Sequence, residues 1–222
     1  MIKLITVFKR RSGLDLEAFE RYWIDRHAPL VARLPGLRRY VQSQTIAGGY
    51  RRGEPAIDGC EELWFDDLQA LHLLQETPEL AAVREDEGAL MQPATRREIV
   101  TEDVLIKDGP MPASGVKNIE LVLRLPNMAP EPFHRYWIEH HGPLGASIPQ
   151  VLRYVQSHTL LEQYRAGHVP SLDGLALTWF ENTEAMRAAA LTSQYAETRA
   201  DEANFVTEPL DFVITRERVL VG

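Results

Sequence analysis

Alternation of hydrophobic and polar positions predicts the strands of this chain. In the first half, alternating or β-branched runs cover residues 2–9, 39–46, 59–65 and 97–106. Runs of this length and period, bounded by Gly-containing turns, are typical of β-strands. The last run of the second half, residues 212–221, predicts a closing strand of the same kind.

Apolar residues spaced three and four apart predict a helix after the first strand. One face of this helix would carry Leu16, Phe19, Trp23 and His27. Asp15 stands where an N-cap belongs. We expect the helix to end near His27, because the residue that precedes a proline, here Pro29, is disfavoured in the α region.

A second helical segment follows the third strand of each half. In the first half, Asp66 or Asp67 would cap a helix that breaks at residues 77–79 and restarts to about Glu87. The matching segment, residues 183–203, is rich in Ala, and we expect a continuous helix there. The predicted element order is therefore βαββαβ in each half.

The helical stretch at residues 19–30 occurs a second time at residues 133–144. Aligned without a gap, 16 of the 27 positions from 19 to 45 are identical to those 114 residues later. This repetition indicates a tandem duplication. We predict a first repeat at residues 1–106, a linker at 107–115 and a second repeat at 116–222.

Each βαββαβ unit would cover one face of its sheet with helices and leave the other face open. A second, identical unit could cover that face. We therefore expect the two sheets to pack face to face or to curl into a barrel, with a cavity between sheet and helices.

Composition and charge narrow the classes of partner. The chain has 222 residues, of which 45% are hydrophobic and 25% charged, as in globular proteins that bury a core. A net charge of −8 without a run of Lys and Arg argues against nucleic acid as a partner. The single cysteine, Cys60, excludes an internal disulfide. No cleavage-site pattern or long apolar stretch is present, so we expect no signal peptide, no membrane partner and a cytoplasmic location.

The repeated motif resembles the signature of the EthD-domain family, a group within the dimeric α+β-barrel proteins. The motif residues are Phe19, Tyr22, Trp23, His27, Pro29, Leu30 and 39–42, and again Phe133, Tyr136, Trp137, His141, Pro143, Leu144 and 153–156. The resemblance implies ferredoxin-like βαββαβ units whose sheets pair, usually between two chains. Here it implies an α+β fold in which two tandem units form an intramolecular dimeric α+β barrel, a pseudo-dimer that leaves further homo-oligomer formation open. The family includes cofactor-free oxygenases, isomerases, polyketide cyclases and haem-binding proteins, so the resemblance specifies no single reaction.

His27 and His141 are the candidate catalytic residues. Each follows a tryptophan by four positions and would lie on the same helical face near the helix C-terminus. A histidine that titrates near neutrality suits proton transfer to or from a carbonyl or enol. The helix dipole favours the charged ring and burial favours the neutral ring, so the protonation state stays open. The structural alternative is that each histidine caps the last carbonyls of its helix.

Aromatic and amide side chains form the candidate substrate-binding set. Its members are Tyr22, Tyr40, Gln42, Trp64, Tyr136, Tyr154, Gln156 and Trp179. Flat apolar rings with polar tips suit a pocket for a small apolar or aromatic ligand. Tyr40 and Gln42 alternate along a strand and would point to one face, as would Tyr154 and Gln156. The alternative to ligand binding is a purely structural role in the hydrophobic core. This alternative applies above all to four neighbouring aromatic residues whose helical spacing is typical of a helix-to-sheet core, namely Phe19, Trp23, Phe133 and Trp137.

The two copies differ at a few chemically relevant positions, among them Arg26 against His140 and Gln44 against His158. His140 and His141 are adjacent, hence about a hundred degrees apart on a helix, and we predict no metal site. The charged run at residues 84–87 is interpreted as solvated helix surface. No Gly-rich loop between strand and helix suggests a nucleotide cofactor. We expect no cofactor, with haem on a single histidine left open.

The sequence therefore favours a cofactor-independent enzyme that acts on a small apolar or aromatic carbonyl compound, by acid/base, cyclase, isomerase, dehydratase or oxygenase chemistry. His27 or His141 would transfer the proton, and Tyr40, Tyr154, Gln42 and Gln156 would orient the substrate. Two alternatives remain open: a non-catalytic small-molecule binding module of a degradation or stress pathway, and a haem-linked oxidoreductase.

Overall fold

The structure, a computed structural model, describes residues 1–222, with the side chains of all but positions 52, 166 and 167. Its strands are β1 (Ile2–Phe8), β2 (Arg39–Thr45), β3 (Gly59–Phe65), β4 (Arg97–Lys107), β5 (Val116–Val122), β6 (Arg153–Thr159), β7 (Gly174–Phe180) and β8 (Asp211–Val221). They follow one another in the order β1-β3-β2-β8-β5-β7-β6-β4, which closes into a barrel. The predicted class, α+β with two βαββαβ repeats and a barrel sheet, is confirmed.

The chain folds into two compact units. The first unit contains Met1–Val100 and Glu217–Gly222, and the second contains Thr101–Arg216. The repeat boundaries inferred from the sequence, with a linker at residues 107–115, stay a prediction.

The helices of the first unit pack on one face of its sheet. They are α1 (Leu16–Tyr22), a π-helical turn (Trp23–His27), α2 (Ala28–Val31), α3 (Leu68–Leu74) and α4 (Pro78–Leu90). The carboxylate of Asp15 accepts from Ala18 N at 2.7 Å and begins α1, as the sequence predicted. In β2 and β3 the register opposes Gln42 to Glu61, so these two side chains point to the same face.

The second unit repeats these elements as α5 (Pro130–Tyr136), a π-helical turn (Trp137–His141), α6 (Gly142–Ser147), α7 (Thr183–Ala189) and α8 (Ser193–Asp201). The continuous helix expected over residues 183–203 is wrong, because the chain leaves the helix between α7 and α8. Thr192 has extended angles there, φ −87° and ψ 152°, and its hydroxyl accepts from Tyr195 N at 3.2 Å. This N-cap starts a new helix and overrides the helix propensity of the Ala residues. Among the described residues, no helix combines the length and apolar content needed to cross a membrane.

The helix that begins with α1 does not end near His27, so that prediction is also wrong. Ala28, which precedes Pro29, keeps helical angles of φ −57° and ψ −40°, and its N–H bonds Trp23 O across the π-helical turn. The wider turn leaves room for the proline, which falls in the first two positions of α2, where a missing N–H costs little. The second copy repeats this arrangement. Both histidines therefore lie inside a helical run instead of at its end.

A tryptophan lies over a strand glycine in each unit. A Cβ on Gly59 would come within 2.8 Å of Trp23 Cη2, and one on Gly174 within 2.8 Å of Trp137 Cζ3. Only glycine allows an indole to approach the strand so closely. The helix-to-sheet core anticipated from the sequence is fully buried, with 0% to 1% exposure at Phe19, Trp23, Phe133 and Trp137.

Candidate functional site

The first unit holds its histidine through a carboxylate on α4. His27 Nδ1 lies 2.8 Å from Asp86 Oδ2, and Tyr22 OH donates to Asp86 Oδ1 at 2.6 Å. The side chain of His27 is 0% exposed and that of Asp86 is 16% exposed. Because an ionised carboxylate only accepts hydrogen bonds, Nδ1 carries a proton and Asp86 fixes the ring orientation.

Glu61 on β3 brings a second carboxylate to the same histidine. Trp23 Nε1 donates to Glu61 Oε1 at 2.6 Å, and Tyr40 OH donates to the same oxygen. His27 Nε2 lies 3.5 Å from Oε1, an ion-pair distance without hydrogen-bond geometry. Glu61 is therefore a buried carboxylate that two neutral donors and one cation compensate.

These contacts decide the charge of the pair. Burial by itself lowers the pKa of His27, but the neighbouring Glu61 and Asp86 outweigh burial and raise that pKa to about 9. Burial raises the pKa of Glu61, and His27 together with the hydrogen bonds from Tyr40 and Trp23 brings it below its usual value. At neutral pH His27 is an imidazolium and Glu61 is a carboxylate.

Two buried polar atoms of this cluster lack hydrogen bonds. Gln42 Nε2 donates to Tyr40 OH at 2.7 Å and to Trp23 O at 3.3 Å, which leaves Gln42 Oε1 as an acceptor. Neither Gln42 Oε1 nor His27 Nε2 has a hydrogen-bond partner among the described residues. Buried groups of this kind normally bond to protein or water, so the cluster retains capacity for a polar ligand atom.

The second unit repeats the histidine and its aspartate but lacks the second carboxylate. His141 Nδ1 lies 3.0 Å from Asp201 Oδ2, and Tyr136 OH donates to Asp201 Oδ1 at 2.6 Å. Ala176 lies opposite Gln156, at the position that Glu61 occupies in the first unit. Burial lowers the pKa of His141, and Asp201 raises it too little to compensate. His141 is therefore neutral at neutral pH.

Hydrogen bonds among neutral groups replace the Glu61 cluster in the second unit. Trp137 Nε1 donates to Tyr154 OH at 3.2 Å. Gln156 Nε2 donates to Tyr154 OH at 3.0 Å and to Trp137 O at 2.9 Å, while Gln156 Oε1 contacts His158 Nε2 at 2.9 Å. The same scaffold thus places a buried ion pair beside Trp23 in the first unit and hydrogen bonds among neutral groups beside Trp137 in the second. The nearby carboxylate of Glu120, opposite Ala176 on β5, pairs with Arg199 at 3.7 Å instead of with a histidine.

Sequence reasoning missed the residues that set these charges. Asp86 lies in the run interpreted as solvated helix surface, yet it bonds Tyr22 and His27. Burial raises the pKa of the adjacent Glu87 to about 7, so this part of the surface interpretation is wrong. The repeat contained a usable signal, because an Arg-x-Asp-Glu pattern at residues 84–87 recurs at residues 199–202. Glu61 had no such signal, since its counterpart is alanine.

The residues proposed to bind a substrate do not form one cluster within a unit. The hydrogen bonds around His27 include Tyr22, Tyr40 and Gln42. Those around the second π-helical turn include Tyr136, Tyr154 and Gln156. Trp64 lies on the other face of β3, because side chains alternate along a strand, and Lys3 Nζ is 5.0 Å from its ring centroid. Trp179 has the same position in the second unit, with Lys117 Nζ at 5.1 Å.

Comparison with family models identifies two copies of one domain. The model described as "EthD domain" matches residues 11–94 and residues 125–209. The two matched segments contain both histidines, both aspartates and Glu61. A comparison with curated proteins gives no match.

Solved structures with the same fold have low sequence identity to the chain. An anthrone oxidase-like protein is 9% identical, with a TM-score of 0.67, over 99% of this chain and 93% of its own. A protein from Lactobacillus acidophilus, provisionally assigned as a monooxygenase, is 15% identical, with a TM-score of 0.57, over 98% of this chain and 94% of its own. A mutant chlorite dismutase from Candidatus Nitrospira defluvii in complex with cyanide is 10% identical, with a TM-score of 0.53, over 96% of this chain and 90% of its own. At these identities the comparisons establish the fold alone.

Proposed function

Because the chain belongs to the EthD domain family, we propose that it is a cofactor-independent acid–base enzyme acting on a small apolar or aromatic carbonyl compound. The observation that supports this proposal is a Tyr–Asp–His arrangement built twice in opposite charge states. His27 is an imidazolium and His141 is neutral. A neutral imidazole accepts a proton and a charged one donates, so the two units hold complementary acid–base groups.

We assign the role of general base to His141. Asp201 binds Nδ1–H and so leaves the lone pair on Nε2. The side chain is 7% exposed, so it retains limited access. The ring of Phe205 lies 4.7 Å from that of His141, an apolar neighbour suited to an aromatic substrate. Tyr154 and Gln156 are the residues expected to orient that substrate.

We assign the role of proton donor to His27. Its Nε2–H makes no hydrogen bond with the described residues, and a carbonyl oxygen that develops negative charge is the acceptor that an imidazolium favours. Gln42 Oε1 could accept from an enol hydroxyl, and Tyr40 holds the amide in place. The His27 side chain is 0% exposed, so donation requires local opening of the first unit.

Anthrone is a suitable test compound, and the name of one structural neighbour suggests it. It is an aromatic ketone whose methylene group loses a proton to give an enolate. His141 would take this proton at Nε2, and the enolate oxygen would carry the charge. With dioxygen as the oxidant, anthrone plus O2 gives anthraquinone plus water, and neither a metal nor a flavin is needed for the balance.

Proton abstraction can be measured apart from oxidation by following deuterium exchange of the anthrone methylene group in buffered D2O without dioxygen. We expect the wild type to exceed the buffer rate and His141→Ala to reduce the enzyme-dependent rate by about 100-fold or more. The rate should fall as the pH drops below the His141 pKa, which lies under 6.5, because the base is then protonated. His140→Arg, at an exposed position where the first copy has Arg26, is the matched control.

Two results would reject the proposal. If wild-type exchange equals the buffer rate, the assignment to aromatic ketones is wrong. If the double variant His27→Ala with His141→Ala exchanges as fast as the wild type, the histidine roles are wrong. Ligand that is retained tightly and recovered with unchanged mass would favour the non-catalytic binding module.

Haem is the remaining alternative cofactor. His27 does not fit an axial ligand, because Nδ1 bonds Asp86, Nε2 lies 3.5 Å from Glu61, and the side chain has no exposed area. His141 Nε2 would be the nitrogen left for iron. If freshly purified protein shows a Soret band and His141→Ala abolishes it, the haem alternative is correct and the acid–base proposal is wrong.

A further inference from the structure

The second unit contains two carboxylates that share one arginine. Arg199 Nη1, on α8, lies 2.7 Å from Glu202 Oε1 and 3.7 Å from Glu120 Oε1, on β5. The side chain of Glu202 is 2% exposed, and a buried charge is costly unless its partners compensate it fully. Two neighbouring carboxylates beside one cation favour the retention of one proton.

The equivalent glutamate of the first unit has a cation at each of its oxygens. Glu87 Oε1 lies 3.5 Å from Arg84 Nη1, and Glu87 Oε2 lies 3.1 Å from Arg96 Nε. Arg84 recurs as Arg199, but the second unit has leucine in place of Arg96 directly before its last strand. In the part of the chain whose side chains are described, Glu202 Oε2 has no hydrogen-bond partner.

Hydrogen bonding determines which of the two carboxylates of the second unit keeps the proton. Asn118 Nδ2 donates to Glu120 Oε1 at 3.2 Å, and a hydrogen bond donated to a carboxylate favours its ionised form. Glu202 Oε2 receives no such bond from the described residues. The proton therefore belongs on Glu202.

Most charges around Glu202 also favour its neutral form. Burial has the largest effect on its pKa, followed by the charge of Glu120, and the charges of Glu208 and Asp201 act in the same direction. Arg199 opposes them, yet the pKa of Glu202 is raised to about 8. At pH 7 Glu202 is therefore a carboxylic acid with a buried O–H, a donor that a carbonyl oxygen of a ligand would satisfy.

Strand register places this acid near the residues expected to orient a substrate. Gln156 on β6 lies opposite Ala176 on β7, and Ala176 lies opposite Glu120 on β5. Opposite residues of neighbouring strands point to one face, so Gln156 and Glu120 flank the small side chain of Ala176. Burial raises the pKa of Tyr154, and the charges of Glu120 and Glu202 raise it further, as expected for neighbouring groups.

The acid and the proposed base also come from one end of α8. Asp201, which binds His141 Nδ1 at 3.0 Å, directly precedes Glu202. Burial lowers the pKa of His141, and the charge of Arg199, the ion-pair partner of Glu202, lowers it further. One arginine thus acts on both groups, so they share one electrostatic environment.

We propose that Glu202 is the proton donor of the second unit and protonates the carbonyl oxygen of the substrate while His141 removes a proton from the methylene carbon. This proposal rests on the proposed function, which makes His141 the base. As the C–H bond breaks, its proton goes to His141 Nε2 and its electron pair moves through the conjugated ring to the oxygen. The oxygen takes the proton of Glu202 Oε2, so the products are an enol, an imidazolium and a carboxylate.

The test is the pH profile of deuterium exchange at the anthrone methylene group, measured with the full chain without dioxygen. In the wild type the enzyme-dependent rate should fall as the pH rises past about 8, because Glu202 then loses its proton. Glu202→Gln is neutral at every pH but cannot transfer a proton. It should be at least tenfold slower at pH 7 and should lose the fall above pH 8. Glu197→Gln, the same change at an exposed position of α8, should follow the wild type.

A second variant and the His141 variant make the outcome decisive. Glu120→Gln removes a charge that raises the pKa of Glu202, so the fall at high pH should move to lower pH. If His141→Ala slows exchange but Glu202→Gln follows the wild type at every pH, the role of Glu202 is wrong and that of His141 stands. Wild-type exchange at the buffer rate would reject both roles.

Carbon NMR of the glutamate carboxyl groups in the wild type tests the proton without a substrate and without a variant that must fold. The Glu202 signal should titrate with a midpoint near pH 8. A Glu202 carboxyl that is already ionised at pH 7 would overturn the proposal, whatever the exchange rates show.

Discussion

Replacing Glu61 by glutamine is the sharpest test of the charge difference between the two units. Glu61→Gln keeps the shape of the side chain and an acceptor for Trp23 and Tyr40, but it removes the charge that faces His27. The second unit shows the outcome to expect. His141, buried with one carboxylate instead of two, has a pKa below 6.5. We expect His27 in the variant to become neutral at pH 7.

The magnitude follows from the pKa of His27, which rises from 6.5 to about 9 in the folded protein. At about 1.4 kcal/mol per pKa unit, His27 contributes about 3 kcal/mol to the free energy of unfolding. Because the folded pKa lies above the unfolded one, this contribution is complete below pH 6.5 and is lost as the pH rises to about 9. The stability gap between wild type and Glu61→Gln should therefore be largest below pH 6.5 and shrink as the pH rises to about 9.

The assay combines urea unfolding at a series of pH values with NMR titration of the histidine rings. Glu17→Gln, which removes a carboxylate whose side chain is 87% exposed, is the control and should follow the wild type at every pH. Parallel stability curves for wild type and Glu61→Gln between pH 6.5 and 9 would refute the reasoning. A His27 ring that stays protonated at pH 7 in the variant would refute it independently.

Three further substitutions test the packing and the helix break. Gly59→Ala places a Cβ within 2.8 Å of Trp23 Cη2 and should lower the free energy of unfolding by about 1–3 kcal/mol. Gly88→Ala in α4, where a Cβ meets no atom within 4 Å, is the control and should raise it by about 0.5–1 kcal/mol. Equal effects of the two substitutions in urea unfolding would contradict the close approach. Thr192→Ala removes the N-cap of α8 and should cost about 1 kcal/mol, seen as a lower Tm in thermal unfolding, while an unchanged Tm would mean that the cap contributes nothing.

Most of the fold could be predicted because it depends on local patterns and on repetition. Period-two runs located the strands within one or two residues, and the duplicated motif predicted two equivalent units. The errors occurred where a single interaction overrides a local trend. A π-helical turn accommodates Pro29 within a continuing helix, and the hydroxyl of Thr192 breaks an Ala-rich segment.

The candidate site was predicted only in part. The motif pointed to His27 and His141, because both copies retain them at the same helical position. Their partners Asp86 and Asp201 come from a distant helix, and Glu61 comes from a strand. Sequence spacing does not predict such long-range contacts, unless both copies of the repeat carry the residues that make them.

The sequence by itself determined the element order, the duplication, the buried tryptophans and the two histidines, since each follows from periodicity or identity between the copies. Only the tertiary structure decided their charge. Packing on the sheet places two carboxylates against His27 and one against His141, and in a buried site that difference sets which ring is protonated. Identical motifs therefore acquire opposite acid–base character, because a pKa depends on the groups that folding brings together and not on neighbours along the chain.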